Sequence, residues 1–224
     1  MKSWSTYTSE TSEVKLGDPI SEFIVKKLSS CLEKFFSPAT TVGQRTGLIK
    51  CALCQLGHEE REDKKGFKVY ANRLPEDCPN VVSKKCKNRE WLYDLHWYTE
   101  NKGKKNGYQP TSLPLVVECE WGMKRKGDTT GKPYSAIKYD FQKLLVTNAK
   151  LRLMIFKITR GKNHKRNSDL DKYFDKAIKS YRHLEKNPKF LFIAFDESAR
   201  KIQAKGFHYA EKPKGQKGRT VKFV

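Results

Sequence analysis

Two short segments in the middle of the chain combine the composition of a sheet interior with regularly spaced acids. Trp91–Thr99 and Pro114–Trp121 are rich in aromatic and β-branched residues, which predicts two strands. Successive side chains of a strand point to opposite faces, so each segment has an apolar side and an acidic side. Asp94 lies on the acidic side of the first strand, and Glu118 and Glu120 lie on that of the second. If the two strands pair, the three carboxylates converge on one patch.

Such a patch favours a metal site over a row of solvated acids. Crowded carboxylates repel one another, and a hard divalent cation relieves that repulsion. The run LPLVVECEWG is otherwise apolar enough for a sheet interior, where unpaired charges are costly. We therefore expect Asp94, Glu118 and Glu120 to bind Mg²⁺, with Mn²⁺ as a substitute. Bound Mg²⁺ activates water and stabilises charge on a transferring phosphoryl group.

The periodicity of the remaining chain predicts one α/β domain with a central mixed sheet flanked by helices. Helices are predicted at 19–35, 42–61, 137–148 and 170–184. Further strands are predicted at 67–74, 151–158 and 189–195, with a terminal hairpin at 207–210 and 220–224. Residues 75–88 are predicted to be a loop. Residues 1–17 are predicted to be a flexible Ser/Thr-rich arm, and residues 18–224 the single domain.

The charge of the chain points to a polyanionic partner. There are 46 Lys and Arg against 25 Asp and Glu, a formal net charge of +21. Such an excess drives association with phosphates through counterion release, and double-stranded DNA is the expected partner. The basic residues of three loops are candidates for backbone contacts: Lys102, Lys104, Lys105, Lys124, Arg125, Lys126, Lys132, Arg160, Lys162, Lys165 and Arg166. Without an apolar run of membrane-spanning length or a signal-peptide pattern, we expect a cytoplasmic protein without a membrane partner.

The cysteines offer a different interpretation. Cys51 and Cys54 have the spacing of zinc ligands, and Cys78 and Cys86 are conceivable partners for them. Cys51 and Cys54 lie, however, in a helical and mostly apolar stretch, whereas structural zinc ligands normally sit on tight turns. We therefore expect plain buried thiols. A zinc-dependent interaction module stays open as an alternative.

The order helix, strand, strand with Asp94, strand with Glu118-x-Glu120, helix, strand resembles the αβββαβ core of the PD-(D/E)XK nucleases, the restriction-endonuclease-like superfamily. The resemblance covers about residues 42–158, with elaborations on both sides. It implies that Asp94 and Glu118 are metal ligands. Tyr93 stands where the family's proline would be. Glu120 stands where lysine is usual, and this is similar to the Glu-x-Glu variant of some restriction enzymes.

The resemblance implies a Mg²⁺-dependent DNA endonuclease of restriction-enzyme type, either a monomer or a homodimer. The third catalytic role, usually filled by lysine, stays open among Glu120, Gln142 and Lys143. His96, on the side of Asp94, is interpreted either as a phosphate contact and proton carrier or as a structural histidine. A catalytically inactive nucleic-acid-binding protein of the same fold is the second alternative, beside the zinc module.

Overall fold

The computed structural model describes residues 4–61, 66–79, 86–88, 92–101, 110–122, 124, 126–129, 134–158, 166–185, 187–210 and 220–223. The helices are α1 (Pro19–Ser30), α2 (Leu32–Phe35), α3 (Val42–Arg61), α4 (Ser135–Leu145) and α5 (Arg166–Ser180). The strands are β1 (Ser5–Tyr7), β2 (Phe67–Ala71), β3 (Cys86–Asn88), β4 (Leu95–Glu100), β5 (Pro110–Glu120), β6 (Leu151–Ile158), β7 (Lys189–Asp196), β8 (Lys201–Ala210) and β9 (Thr220–Phe223).

The strands of the described residues form one mixed sheet in the order β1-β8-β7-β6-β5-β4-β2-β3, with β9 paired to β8. The pairs β5–β6, β6–β7 and β2–β3 are parallel, and the other pairs are antiparallel. The predicted α/β class with a mixed sheet is therefore confirmed. The sheet is larger than an αβββαβ core, because β7 and β8 extend it on one side and β3 extends it on the other.

The helices cover both faces of this sheet, which places the predicted acidic side under a helix. On one face, α1 to α3 pack against a core that includes Leu95 and Val117. On the other face, α4 and α5 pack against a core that includes Val116 and Phe141. By strand alternation Glu118 shares the face of Val116, so it lies on the side that α4 covers.

Local sequence signals fix several element ends. Asp18 caps α1 by accepting a hydrogen bond from the backbone nitrogen of Ser21 at 3.0 Å, and Pro19 is the first helical residue. Helix α3 has the predicted bounds. Strand β4 begins at Leu95 instead of Trp91, so Asp94 immediately precedes the strand.

Two segments predicted to be irregular contain short strands. Ser5–Tyr7, assigned to a flexible arm, pairs antiparallel with β8, and Tyr7 and Leu16 are buried. Cys86–Asn88, assigned to a loop, pairs in parallel with β2. Both strands have only three residues, and they lie at the two ends of the strand order, where pairing depends on the partner strand more than on local propensity.

The cysteines also depart from the expectation of four unlinked thiols. Cys51 and Cys78 form a disulfide bond. Cys54 and Cys86 are buried free thiols whose Sγ atoms lie 2.9 Å apart. The zinc-like spacing of the sequence thus corresponds to two adjacent sulfur pairs.

Candidate active site

Asp94 and Glu118 come together where β4 begins. Leu95 pairs with Val117 in the antiparallel register, so the preceding residue, Asp94, lies opposite Glu118. Asp94 Oδ2 accepts a hydrogen bond from the backbone nitrogen of Cys119 at 2.9 Å. The structure therefore brings together the first two acids that the sequence singled out.

Helix α4 adds an ammonium group to these acids. Lys143 Nζ lies 3.0 Å from Glu118 Oε1 and 2.8 Å from Asp140 Oδ1. The Glu118 side chain is only 2% exposed, and its buried Oε1 faces Lys143 without the alignment of a hydrogen bond. Lys143 thus connects a buried carboxylate on β5 with a carboxylate one turn earlier on its own helix.

The buried position of Glu118 changes its acid–base behaviour. Burial, and next the negative charge of Asp94, raise the pKa of Glu118 to about 8, although the ammonium of Lys143 acts in the opposite direction. Without a further cation, the Glu118 carboxyl therefore holds its proton at neutral pH. A cation beside it would favour the ionised form.

Glu120 belongs to a second acidic pair. Its Oε1 accepts a hydrogen bond from the backbone nitrogen of Gly122, and its carboxyl group interacts with Asp140. Burial, and to a lesser extent Asp140, raise the pKa of Glu120, whereas the Gly122 hydrogen bond lowers it. Instead of one patch of three acids, the site contains the pairs Asp94–Glu118 and Glu120–Asp140, which Lys143 connects.

Lys50, which sequence reasoning missed, supports Asp94 from α3. Its side chain is 1% exposed, and Nζ lies 3.9 Å from Asp94 Oδ1. Nζ also donates a hydrogen bond to Asn72 Oδ1, and the backbone nitrogen of Asn72 donates to the Asp94 carbonyl at 3.2 Å. The sequence does indicate that Lys50 faces the core, because it shares a helical face with the apolar residues Leu53 and Cys54.

Two other predicted residues have mainly structural contacts. Gln142 is exposed, and its Nε2 donates a hydrogen bond to the hydroxyl of Tyr173 on α5 at 3.3 Å. His96 is fully buried and its ring stacks on Tyr70 with centroids 5.3 Å apart. Burial lowers the pKa of His96 to about 3, which favours the structural interpretation over that of a proton carrier.

The structure locates part of the predicted basic surface. Lys124 and Lys126 follow β5 and are exposed. Arg166 is the first residue of α5. The remaining residues of the set lie outside the described residues: Lys102, Lys104, Lys105, Arg125, Lys132, Arg160, Lys162 and Lys165.

Two carboxyl groups of the site are candidate donors for a hard cation. In the described part of the chain, no three His, Cys, Asp or Glu side chains are grouped as a ready-made metal site. The ammonium of Lys143 instead lies between Glu118 and Asp140. The buried Glu118 Oε1 and the carboxylate of Asp94 are the hard oxygen donors that Mg²⁺ prefers, and their mutual repulsion favours a cation.

The raised pKa of Glu118 predicts a pH-dependent stability without divalent cations. The folded state keeps a proton up to about pH 8 that the unfolded chain loses near the ordinary value of 4.5. Between these values the folded state binds more protons, so stability falls as pH rises, by up to about 1.4 kcal/mol per pH unit. Thermal unfolding at several pH values in EDTA measures this slope.

Glu118→Gln should flatten that slope, because glutamine cannot ionise. Glu10→Gln, at an exposed position, is the matched control and should keep the wild-type slope. The same slope in Glu118→Gln and wild type would contradict the assignment of this titration to Glu118.

Comparisons with models of protein families, with curated proteins and with solved structures find no match. Among the described residues, no helix has both the length and the apolar character that a membrane span requires. Within residues 42–158 the described elements follow in the order α3, β2, β3, β4, β5, α4, β6. Because a fold alone does not define a function, the function of this chain has to be inferred from the residues of the site.

Proposed function

We propose that this protein is a Mg²⁺-dependent nuclease of the PD-(D/E)XK type, in the Glu-x-Glu variant, that hydrolyses phosphodiester bonds as a DNA endonuclease. The observation that carries the proposal is the buried carboxyl of Glu118 held between Asp94 and Lys143. Burying the Glu118 carboxyl beside Asp94 is costly without a compensating role. Strongly perturbed acids of this kind concentrate at catalytic sites.

Asp94 and Glu118 would hold the cation. When bound, Mg²⁺ supplies activation of water and stabilisation of the charge that develops on the phosphoryl group. Asp94 is oriented for this role because Oδ2 is fixed by the Cys119 amide and Oδ1 faces Lys50. Lys50 is too deeply buried to contact a substrate, so its role is to position Asp94.

Lys143 is the best candidate for the role that lysine fills in the usual motif. Its side chain is 37% exposed, so the ammonium can contact Glu118 and still reach a phosphate oxygen. Burial lowers the pKa of Lys143, but the contacts with Asp140 and Glu118 outweigh burial and raise this pKa above its ordinary value, so the ammonium stays charged. The Glu120–Asp140 pair can accept a proton from the attacking water, since burial keeps the pKa of Glu120 above its ordinary value.

The net charge of +21 supports nucleic acid as the substrate class, and exposed Lys124 and Lys126 lie four and six residues after the end of the strand that carries Glu118 and Glu120. Lysine suits contact with the phosphate backbone better than base reading. A duplex of any sequence should therefore bind, and both a monomer and a homodimer are compatible with this surface.

Binding of duplex DNA should depend strongly on salt. If about four phosphates are neutralised, affinity should fall roughly a hundredfold between 50 and 200 mM salt. Fluorescence anisotropy with a labelled duplex measures the dependence. In a plot of the logarithm of affinity against the logarithm of salt concentration, the double variant Lys124→Gln/Lys126→Gln should reduce the magnitude of the slope by about one unit per lost phosphate contact.

The matched control for this experiment is Lys26→Gln/Lys34→Gln, which removes the same charge from exposed positions on α1 and α2. We expect its slope to remain closer to that of the wild type. An affinity that does not change with salt would contradict the proposed phosphate contacts.

A cleavage assay tests the proposed function itself. Supercoiled plasmid and labelled oligonucleotides, incubated with Mg²⁺, Mn²⁺ or EDTA, should be cut only when a divalent cation is present. Linear products from a closed circle would identify an endonuclease. Salt-dependent binding without cleavage in either cation would favour the alternative of a catalytically inactive nucleic-acid-binding protein.

A further inference from the structure

The cysteine pairs border the elements that support Asp94. Cys51 and Cys54 are three residues apart on α3, so they share one helical face. Their partners, Cys78 and Cys86, lie beyond β2, and Cys86 pairs with Val69 of that strand. Each sulfur pair therefore joins α3 to the segment that follows or flanks β2.

The same helix and strand carry the support of Asp94. Lys50 immediately precedes Cys51, and its ammonium donates to Asn72, the residue after β2. Asn72 in turn donates its backbone hydrogen to the Asp94 carbonyl. The sulfur pairs therefore link the helix and the strand segment that carry the two residues positioning Asp94.

We propose that Cys54 and Cys86 are a redox pair that forms a second disulfide, and that the two crosslinks regulate the site by fixing Lys50 and Asn72 against Asp94. The regulatory part rests on the proposed metal-dependent function. In the oxidation the two thiols lose two protons and two electrons to a low-molecular-weight disulfide, which is released as two thiols while the Sγ–Sγ bond forms.

The distance between the thiols suits this step, whereas their burial slows it. Their Sγ atoms are 2.9 Å apart, so bonding at about 2.05 Å needs an approach of roughly 0.9 Å. Both thiols are buried, whereas Cys51 in the existing disulfide is partly exposed. Burial and the neighbouring Cys86 raise the pKa of Cys54 well above its ordinary value, so exchange will be slow in the folded protein.

Mass spectrometry of the whole chain tests the second crosslink. The protein is equilibrated in glutathione buffers of increasing oxidised fraction, denatured, alkylated and cleaved with trypsin. Trypsin leaves Cys51 and Cys54 on one peptide, 51–61, whereas Cys78 lies on peptide 74–84 and Cys86 on peptide 86–87. A species in which all three peptides are joined by disulfides therefore reports both bonds. We expect that three-peptide species in oxidising buffer, with Cys31 and Cys119 alkylated. Cys54 and Cys86 alkylated at every redox ratio would overturn the proposal, and so would one tightly held Zn²⁺ in the reduced protein.

Cys86→Ser isolates the second crosslink. In oxidising buffer the wild type should exceed this variant in Tm by on the order of 5–10 °C, and the difference should shrink under reduction. Cys31→Ser, which changes a partly exposed thiol outside both pairs, should behave as the wild type. If the Tm difference between the wild type and Cys86→Ser were the same in oxidising and reducing buffer, the variant would have a packing defect, and this result would count against the crosslink.

Mn²⁺ binding measured by EPR tests the regulation independently of cleavage. Reduction should weaken Mn²⁺ binding on the order of tenfold, the usual effect of losing support behind a metal ligand. Redox-dependent Mn²⁺ binding without cleavage would support the regulation and refute hydrolysis. Mn²⁺ binding that is absent, or equal in both redox states, would overturn the regulation even where the second disulfide forms.

Discussion

Glu118→Gln should lower the rate of DNA cleavage by at least on the order of 10³, because the substitution removes an anionic ligand from the reacting centre. The fold should survive. In the absence of a cation the pKa of Glu118 is about 8, so the native carboxyl is already protonated at neutral pH and glutamine resembles that form. Single-turnover cleavage of a labelled duplex measures the rate, and thermal unfolding in EDTA monitors the fold.

Asp94→Asn should behave similarly, since it removes the other proposed ligand while keeping an acceptor for the Cys119 amide. Without metal, Glu118→Gln should bind DNA as well as the wild type, because the native carboxyl is already protonated at neutral pH. Asp94→Asn should bind as well as the wild type or better, because it removes a negative charge that would repel phosphate. Glu10→Gln is the control for charge removal at an exposed position. Full cleavage by Glu118→Gln or Asp94→Asn would show that the metal ligands lie elsewhere.

The parts of the site that lie on one strand could be predicted from the sequence. Strand alternation placed Glu118 and Glu120 on one side of β5, and this side is now covered by α4. The approach of Asp94 to Glu118 followed from one assumption, that the two strands pair, and β4 and β5 do pair, in antiparallel register. These signals have a period of two residues, so they are visible in a single segment.

Contacts between helices and the sheet could not be predicted in this way. Lys50 on α3 and Asp140 on α4 reach the site only because their helices cover opposite faces of the sheet, and no local pattern specifies that packing. For the same reason the cysteine spacing gave no correct pairing, since Cys51 joins Cys78 across 27 residues. Burial under α4 is also what separates Glu118 from an ordinary solvated acid.

Lys143→Met should lower the rate of cleavage on the order of 10²–10³, the typical cost of losing a preorganised charged group at a reacting centre. Its ammonium lies 3.0 Å from Glu118 Oε1, so its loss also leaves the buried carboxyl with less neutralising charge. DNA affinity should change little, because one charge is lost from a net +21. Lys143→Arg should keep part of the activity, since it preserves the charge but not the position of a compact ammonium.

Variants at the neighbouring positions decide among the three candidates for the lysine role. Gln142→Ala is the matched control on α4, and its rate should remain near that of the wild type because Gln142 bonds to Tyr173 on α5.

Glu120→Lys would place a second ammonium beside Asp140, where it competes with Lys143 and weakens cation binding. We therefore expect Glu120→Lys to be nearly inactive and to need more Mg²⁺. A wild-type rate for Lys143→Met together with an inactive Glu120→Lys would transfer the role to Glu120, since Lys143 would then serve only to neutralise Glu118.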